Sequence, residues 1–213
     1  MAVLWITLLV VLFDQTTKLM VKGSPWPILP FQGIPYGHSI PFIDDIFRIT
    51  YIENPGIAFG LNIPGFKVVF AVFSIVASIA ILIYLKHNLL RLRIGERIAL
   101  ALILGGAVGN LIDRVFYGVF FHEQPLFYGR VVDFIDFGFH KNWFPVFNVA
   151  DSSVTIGVTL LVILLMRSRK QAQSIPIENA EIDSEAGNII VENPPYTETR
   201  FSAESTIEEP EAQ

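Results

Sequence analysis

Four long apolar stretches constrain this 213-residue chain more than any other feature of it. They run from about Ala2 to Met20, Phe66 to Leu85, Ile98 to Phe116 and Val149 to Met166. Crossing roughly 30 Å of hydrocarbon as a helix takes about 20 residues, which each supplies, and all are too long for buried strands. The residues are 52% hydrophobic, 18 of them Phe, and only 16% are charged, a mixture suited to lipid. The first stretch lacks a basic n-region and a small-residue cleavage site and holds Asp14 and Lys18 within it, so it reads as a span and not as a cleavable signal sequence. The expected fold class is membrane α-helical, with four transmembrane helices.

Loop charge orients such a chain, because Lys and Arg stay on the cytoplasmic side. Lys86, Arg91, Arg93 and Arg97 lie between spans two and three, and Arg167, Arg169 and Lys170 follow span four. Both termini are therefore expected inside, with residues 22–65 and 117–148 facing outward. In the first outer segment a Pro- and Gly-rich loop, Ser24 to Pro41, leads into Phe47-Arg48-Ile49-Thr50-Tyr51-Ile52, β-branched and aromatic like a strand. Asn54-Pro55-Gly56 closes it as a turn. The spacing predicts a small extracytoplasmic β-sheet cradle between spans one and two, at about 42–62, lying amphipathically at the membrane surface. From Gln171 onward only Arg200 stands against 10 acidic residues, with prolines at 176, 194, 195 and 210. Residues 171–213 thus read as a disordered acidic cytoplasmic tail on a four-span domain of residues 1–170. No internal repeat of solenoid period is present.

The chain has no cysteine, which removes disulfides, thiolate catalysis and thiolate metal sites. His38, His87, His122 and His140 are scattered with no pair at i, i+4, so neither a metal nor another cofactor is expected. What remains informative is the polar set inside or beside the spans, where each ionisable group costs about 2.5–3.5 kcal/mol on insertion scales. Asp14 and Lys18 share a helix face; they can neutralise each other in the interior, or form a snorkelling Lys with its counter-ion. Gly105 and Gly109 permit close helix packing. Asn110 and Arg114 project from one face, either as a structural hydrogen-bonded pair or as a grip on substrate carbonyls that also keeps a nearby acid ionised. Asp133 and Asp136 fall on opposite faces of an extended Val131–Phe137 segment. Asn148 and Asp151 sit at N-cap and N3 of span four, a pattern that capping alone explains.

The conjunction changes the weighing. Asp133 and Asp151 lie within a few residues of the same membrane boundary, on a stretch able to fold back, so a paired-carboxylate site is geometrically accessible. Amide hydrolysis without metal, thiolate or an evident Ser–His pair leaves water activated by two carboxyls that share a proton, one as base and one as acid. Which does which belongs to the coupled pair. Ser152 and Ser153 read as helix-start residues. A small proton-coupled transporter is the competing reading, since intramembrane Asp, Lys and Arg also mark relays; it predicts charges strung through the bilayer and paired repeats. A non-catalytic assembly factor would tolerate loss of either acid.

Five ordered motifs carry a specific resemblance: Asp14-Gln15-Thr16-Thr17-Lys18, Asn54-Pro55-Gly56-Ile57-Ala58-Phe59-Gly60, Gly105-Gly106-Ala107-Val108-Gly109-Asn110-Leu111-Ile112-Asp113-Arg114, Val131-Val132-Asp133-Phe134 and Phe147-Asn148-Val149-Ala150-Asp151. Over about residues 1 to 168 the chain resembles the lipoprotein signal peptidases, or signal peptidase II. The resemblance implies a bacterial inner-membrane aspartyl endopeptidase, probing no nucleic acid, monomeric, embedded in membrane lipid and acting on diacylglyceryl-modified prolipoproteins. By the same resemblance Asp133 and Asp151 are the catalytic dyad, and Asn54, Gly56, Asn110, Arg114 and Asn148 line the site or hold substrate. Asp14, Lys18 and Asp113 are supporting residues. Two departures stand out: an extra stretch around Val119 to Arg130, and a long loop over residues 24–44.

Overall fold

The computed structural model describes residues 2–43, 46–56, 66–139, 142–173, 180–182 and 189–191. Four helices are long and apolar enough to span a membrane: α1 (Leu4–Lys22), α2 (Phe66–His87), α3 (Ile94–Ile112) and α5 (Val149–Gln173). α3 runs on through a π-helical turn, Asp113–Tyr117, into a one-turn helix, α4 (Gly118–Phe120). It is the central helix, with 56% of its span buried inside the protein against 17% for each of the others. Small residues make that possible. A Cβ on Gly106 would lie 2.6 Å from Val154 Cγ2 of α5, and one on Gly109 would lie 2.6 Å from Asp14 Oδ2 of α1.

Polarity is inverted relative to a protein in water. On α1, Trp5, Leu9, Phe13 and Met20 are exposed, while Asp14 and Lys18 are fully buried. Lipid accepts an apolar outer surface without cost, so the ionisable groups gather where protein partners satisfy them.

A four-stranded antiparallel sheet closes one end of the bundle, in the order β1 (Ser39–Ile43), β2 (Phe47–Asn54), β3 (Val131–Phe139), β4 (Asn142–Trp143). The expected cradle is therefore larger than the segment between spans one and two. Half its strands come from the segment between spans three and four, with β3 pairing β2 on one side and β4 on the other. The register sets Ile52 opposite Asp133, Glu53 opposite Val132 and Asn54 opposite Val131. Val132 and Phe134 of β3 pack with Tyr51, Tyr117 and Val21 in a buried cluster, so alternation turns Asp133 to the other face.

The extra stretch after α4 folds back on the π turn. Phe127 N donates to Val115 O at 3.1 Å and Gly129 N to Arg114 O at 3.0 Å, serving carbonyls that the widened turn leaves free. Of the tail, Ala180–Ile182 and Ile189–Val191 pair as short antiparallel strands. α5 continues to Gln173, so residues 171–173 of the expected tail are helical; the expectation of disorder otherwise falls outside the described residues, as do Ile57 to Gly60 of the second motif.

Candidate active site

Lys18 organises the interior. Its ammonium has three donors and all three are used: Asp14 Oδ2 at 2.8 Å, Asp113 Oδ2 at 2.9 Å and Asn110 Oδ1 at 2.9 Å. The side chain is fully buried, so the snorkelling alternative is excluded. Gln15, which drew no role from the sequence beyond its place in the first motif, completes the cluster by donating to Asp14 Oδ2, Gly109 O and Asp113 Oδ1. The two acids then reach outward. Asp14 Oδ1 accepts Ala150 N at 2.9 Å in the first turn of α5, where the helix dipole favours an anion. Asp113 Oδ2 accepts Val132 N at 3.1 Å and so fixes β3 one residue before Asp133.

The same ammonium sets an amide. Because Lys18 can only donate, the Asn110 atom facing it is Oδ1, which turns Nδ2 toward Asp151 Oδ1 at 2.7 Å. Asn148 is oriented by the same logic. Its Oδ1 accepts Asp151 N at 2.9 Å while Asp151 Oδ2 accepts Asn148 N at 3.3 Å, a reciprocal cap on α5. Asn148 Nδ2 is thereby left to donate to Asp133 Oδ1 at 2.6 Å, with further contacts to Asn110 Oδ1 and Val132 O. Capping and site-building are one arrangement: Asn148 holds both Asp133 and Asp151.

Asn54 approaches from β2. Its Oδ1 accepts Gly56 N at 2.9 Å in a turn that Gly56 enters at φ +80°, and its side chain hydrogen-bonds Asp133. Burial and the neighbouring Asp151 carboxylate push Asp133 up to about 7, against the hydrogen bonds from Asn54 and Asn148 and the charge of Lys18. A carboxyl with that value beside a second carboxyl can hold a proton at neutral pH.

Arg114 lies on the π turn and is partly buried. Its Nη1 donates to Asn110 O at 3.3 Å, its guanidinium interacts electrostatically with Asp113, Asp151 and Asp133, and its Nε has no protein partner among the described residues. Asp136, expected on the other face from Asp133, is accordingly bound by Arg48 and Thr50 instead. No group of three or more potential metal-ligating side chains occurs among the described residues.

The fold and this site define a four-span membrane protein with two amide-held carboxyl groups at the sheet end of its bundle. Residues 6–167 match the family model described as signal peptidase (SPase) II. The chain is 38% identical over 167 residues to the lipoprotein signal peptidase of Halothermothrix orenii, covering 78% of this chain and 95% of that one. It is 36% identical over 178 residues to the enzyme of that name from Pseudomonas aeruginosa, with 80% and 91% covered. Among solved structures, a bacterial membrane enzyme determined by the in meso method at 2.3 Å resolution superposes with a TM-score of 0.63 at 30% identity, over 83% of this chain and 94% of that one. A second, at 1.9 Å resolution, gives 0.61 at 34% identity over 77% and 92%. The chain belongs to the signal peptidase II family, and it is a membrane peptidase.

Proposed function

We propose that this peptidase removes the signal peptide from diacylglyceryl-modified prolipoproteins, with Asp133 and Asp151 activating the attacking water. The observation that carries the reading is the bridging of both carboxyls by Asn148, which holds them at one locus with Asn110 and Asn54 as additional donors. One carboxylate takes the water proton as general base; the protonated partner supplies a proton to the departing amine. The Arg114 guanidinium, which interacts electrostatically with both carboxyls, supports a role in holding a substrate carbonyl, and Asn54 and Gly56 shape the turn that ends β2.

The basic residues at 86–97 and 167–170 orient the chain with both termini cytoplasmic, which sets the sheet and the carboxyl pair at the outer face of the inner membrane. The exposed apolar faces of the helices contact lipid, and the chain works as a monomer. A proton-relay transporter finds less support, since Asp14, Asp113, Asp133 and Asp151 converge at one end of the bundle and are not strung through its depth.

The test is incubation of the purified protein with a diacylglyceryl-modified prolipoprotein, following release of the signal peptide. Wild-type protein is expected to cleave it, and Asp133→Asn and Asp151→Asn to leave it intact while remaining folded in the membrane. Near-normal turnover by either variant removes the dyad assignment.

A further inference from the structure

The strand pair that carries Asp133 has a second face, and that face holds charges the cleavage chemistry does not use. Glu53 precedes Asn54 at the end of β2 and points to the opposite side by alternation. Its carboxylate is met by the ammonium of Lys22, by Tyr51 Oη at 2.6 Å and by Arg130 Nη1 at 3.6 Å. Lys22 closes the cluster on Glu123 Oε1 at 2.8 Å and lies 4.4 Å from the Phe121 ring centroid. Only 8% of the Glu53 side chain and 5% of that of Lys22 are exposed. Together these groups line a solvent-reaching cavity of about 560 Å³ with Ile34, Tyr36 and Gln124.

Each partner comes from a different element. Lys22 is the last residue of α1, Glu53 lies on β2, and Glu123 and Arg130 belong to the stretch around Val119 to Arg130. That stretch, whose backbone also serves Arg114 O and Val115 O, is thus tied through Lys22 to the end of β2. On the opposite face, Asn54 stands diagonally across from Asp133, whose direct partner is Ile52, within reach of a side-chain hydrogen bond. Beyond Asn54 the chain turns at Pro55-Gly56, so the ladder holds this residue from one side only.

We propose that Glu53 is a positioning residue: clamped by Lys22, Tyr51 and Arg130 behind the sheet, it sets the end of β2 so that the Asn54 amide meets Asp133. The inference rests on the aspartyl reading above. Burial alone would raise Glu53, yet the Lys22, Tyr51 and Arg130 contacts outweigh it and hold the carboxyl below its ordinary value. The Tyr51 phenol, raised by burial and by Glu53, stays a donor. Glu53 is therefore ionised throughout the neutral range, and its work at the site is mechanical, passing through Asn54.

A double-mutant cycle on the purified full-length protein tests this. Glu53→Gln is expected to lower kcat for a diacylglyceryl-modified prolipoprotein about tenfold with KM little changed, and to move the alkaline limb of the rate profile upward, as loss of a bond to the ionised Asp133 requires. In an Asn54→Ala background the same change is expected to cost less than about twofold, because the residue it acts through is gone. Lys22→Met is expected to behave as Glu53→Gln does, and Lys22→Arg to restore most of the rate. Full additivity of Glu53→Gln and Asn54→Ala, with wild-type protein still cleaving and Asp151→Asn still inactive, overturns the positioning role and leaves the function intact. Unfolding of both Glu53→Gln and Lys22→Met also overturns it, by making the clamp a requirement of the fold. Wild-type protein that fails to cleave removes the aspartyl reading and this inference with it.

Discussion

Two clusters of acids lie at the sheet end of this bundle, one fully buried and one partly open at Asp151, and they are satisfied in opposite ways. Asp14 and Asp113 share the ammonium of Lys18, and their oxygens are further occupied by Gln15 and by the N–H groups of Ala150 and Val132. Among the described residues Asp133 and Asp151 accept hydrogen bonds from amide groups alone, those of Asn54, Asn110, Asn148 and the backbone, with the Arg114 guanidinium interacting electrostatically nearby. A cation at bonding distance ties its carboxyl partners into the packing between the helices. Amides orient a carboxyl while leaving it free to gain or lose a proton. The difference sets the acids that tie the helices together apart from the pair to which we assign proton exchange, although all four lie within one connected network.

Substitutions that remove charge without removing shape break the comparison most sharply. Asp133→Asn or Asp151→Asn is expected to reduce cleavage by about 10⁴-fold, about 5 kcal/mol in barrier, with thermal stability retained. Measured turnover and melting curves on the same preparations decide it; joint loss of fold and activity would put these two acids in the assembling class. Lys18→Met should do the reverse and destabilise the protein by about 3–5 kcal/mol, since it strands two buried carboxylates. Chemical or thermal unfolding in detergent reads this, and a variant as stable as wild type would contradict the role given to the ammonium. Asn148→Ala removes the Nδ2 donor from the Asp133 carboxyl and the Oδ1 acceptor that caps Asp151 N, and a loss of about 10²-fold in kcat is expected, about 3 kcal/mol. An unchanged kcat would mean the bridge is dispensable.

The smallest effect is in pH dependence. Asp133 is raised to about 7, so cleavage is expected to decline above about that value, and Asn54→Ala, by deleting a bond to the ionised form, should shift the decline upward. The stability signs follow from linkage. The folded protein binds the Asp133 proton more tightly than the unfolded chain, whose value is near 3.8, so this group costs stability as pH rises from about 4 through about 7. Glu53, held below its ordinary 4.5, contributes stability above that value, which is lost as pH falls through its lowered folded value. A decline that stays put in Asn54→Ala would show that the amide does not act on Asp133.

Much of this is legible in the residues because lipid imposes a coarse rule. The four helices follow from apolar length, and the suspicion attached to Asp14, Lys18, Asn110 and Arg114 follows from what polar groups cost among such residues. The opposite facing of Asp133 and Asp136 follows from strand alternation, and their separate partners agree with it. The joining of β2 to β3 was not legible, since it pairs segments separated by two helices and nothing local specifies that register. Nor does spacing reveal that Asp113 takes the Val132 N–H, or that one ammonium orients Asn110. Glu53 and Lys22 escaped notice because surface-type residues at loop boundaries carry no signal until the fold encloses them. Lys22 does follow Lys18 at i, i+4, a hint of a shared face that goes no further by itself.

The inward polarity of α1 bears on how the molecule is made. Of the four spans this helix is synthesised before the other three, and its Asp14 and Lys18 can offset one another at once, but Asp113, the third member of the triad, follows only after α2 and α3. Until then the Lys18 ammonium lacks two of its three acceptors, Asp113 and Asn110. The interior coordination of α1 is consequently complete only once α3 and the turn after it stand beside it.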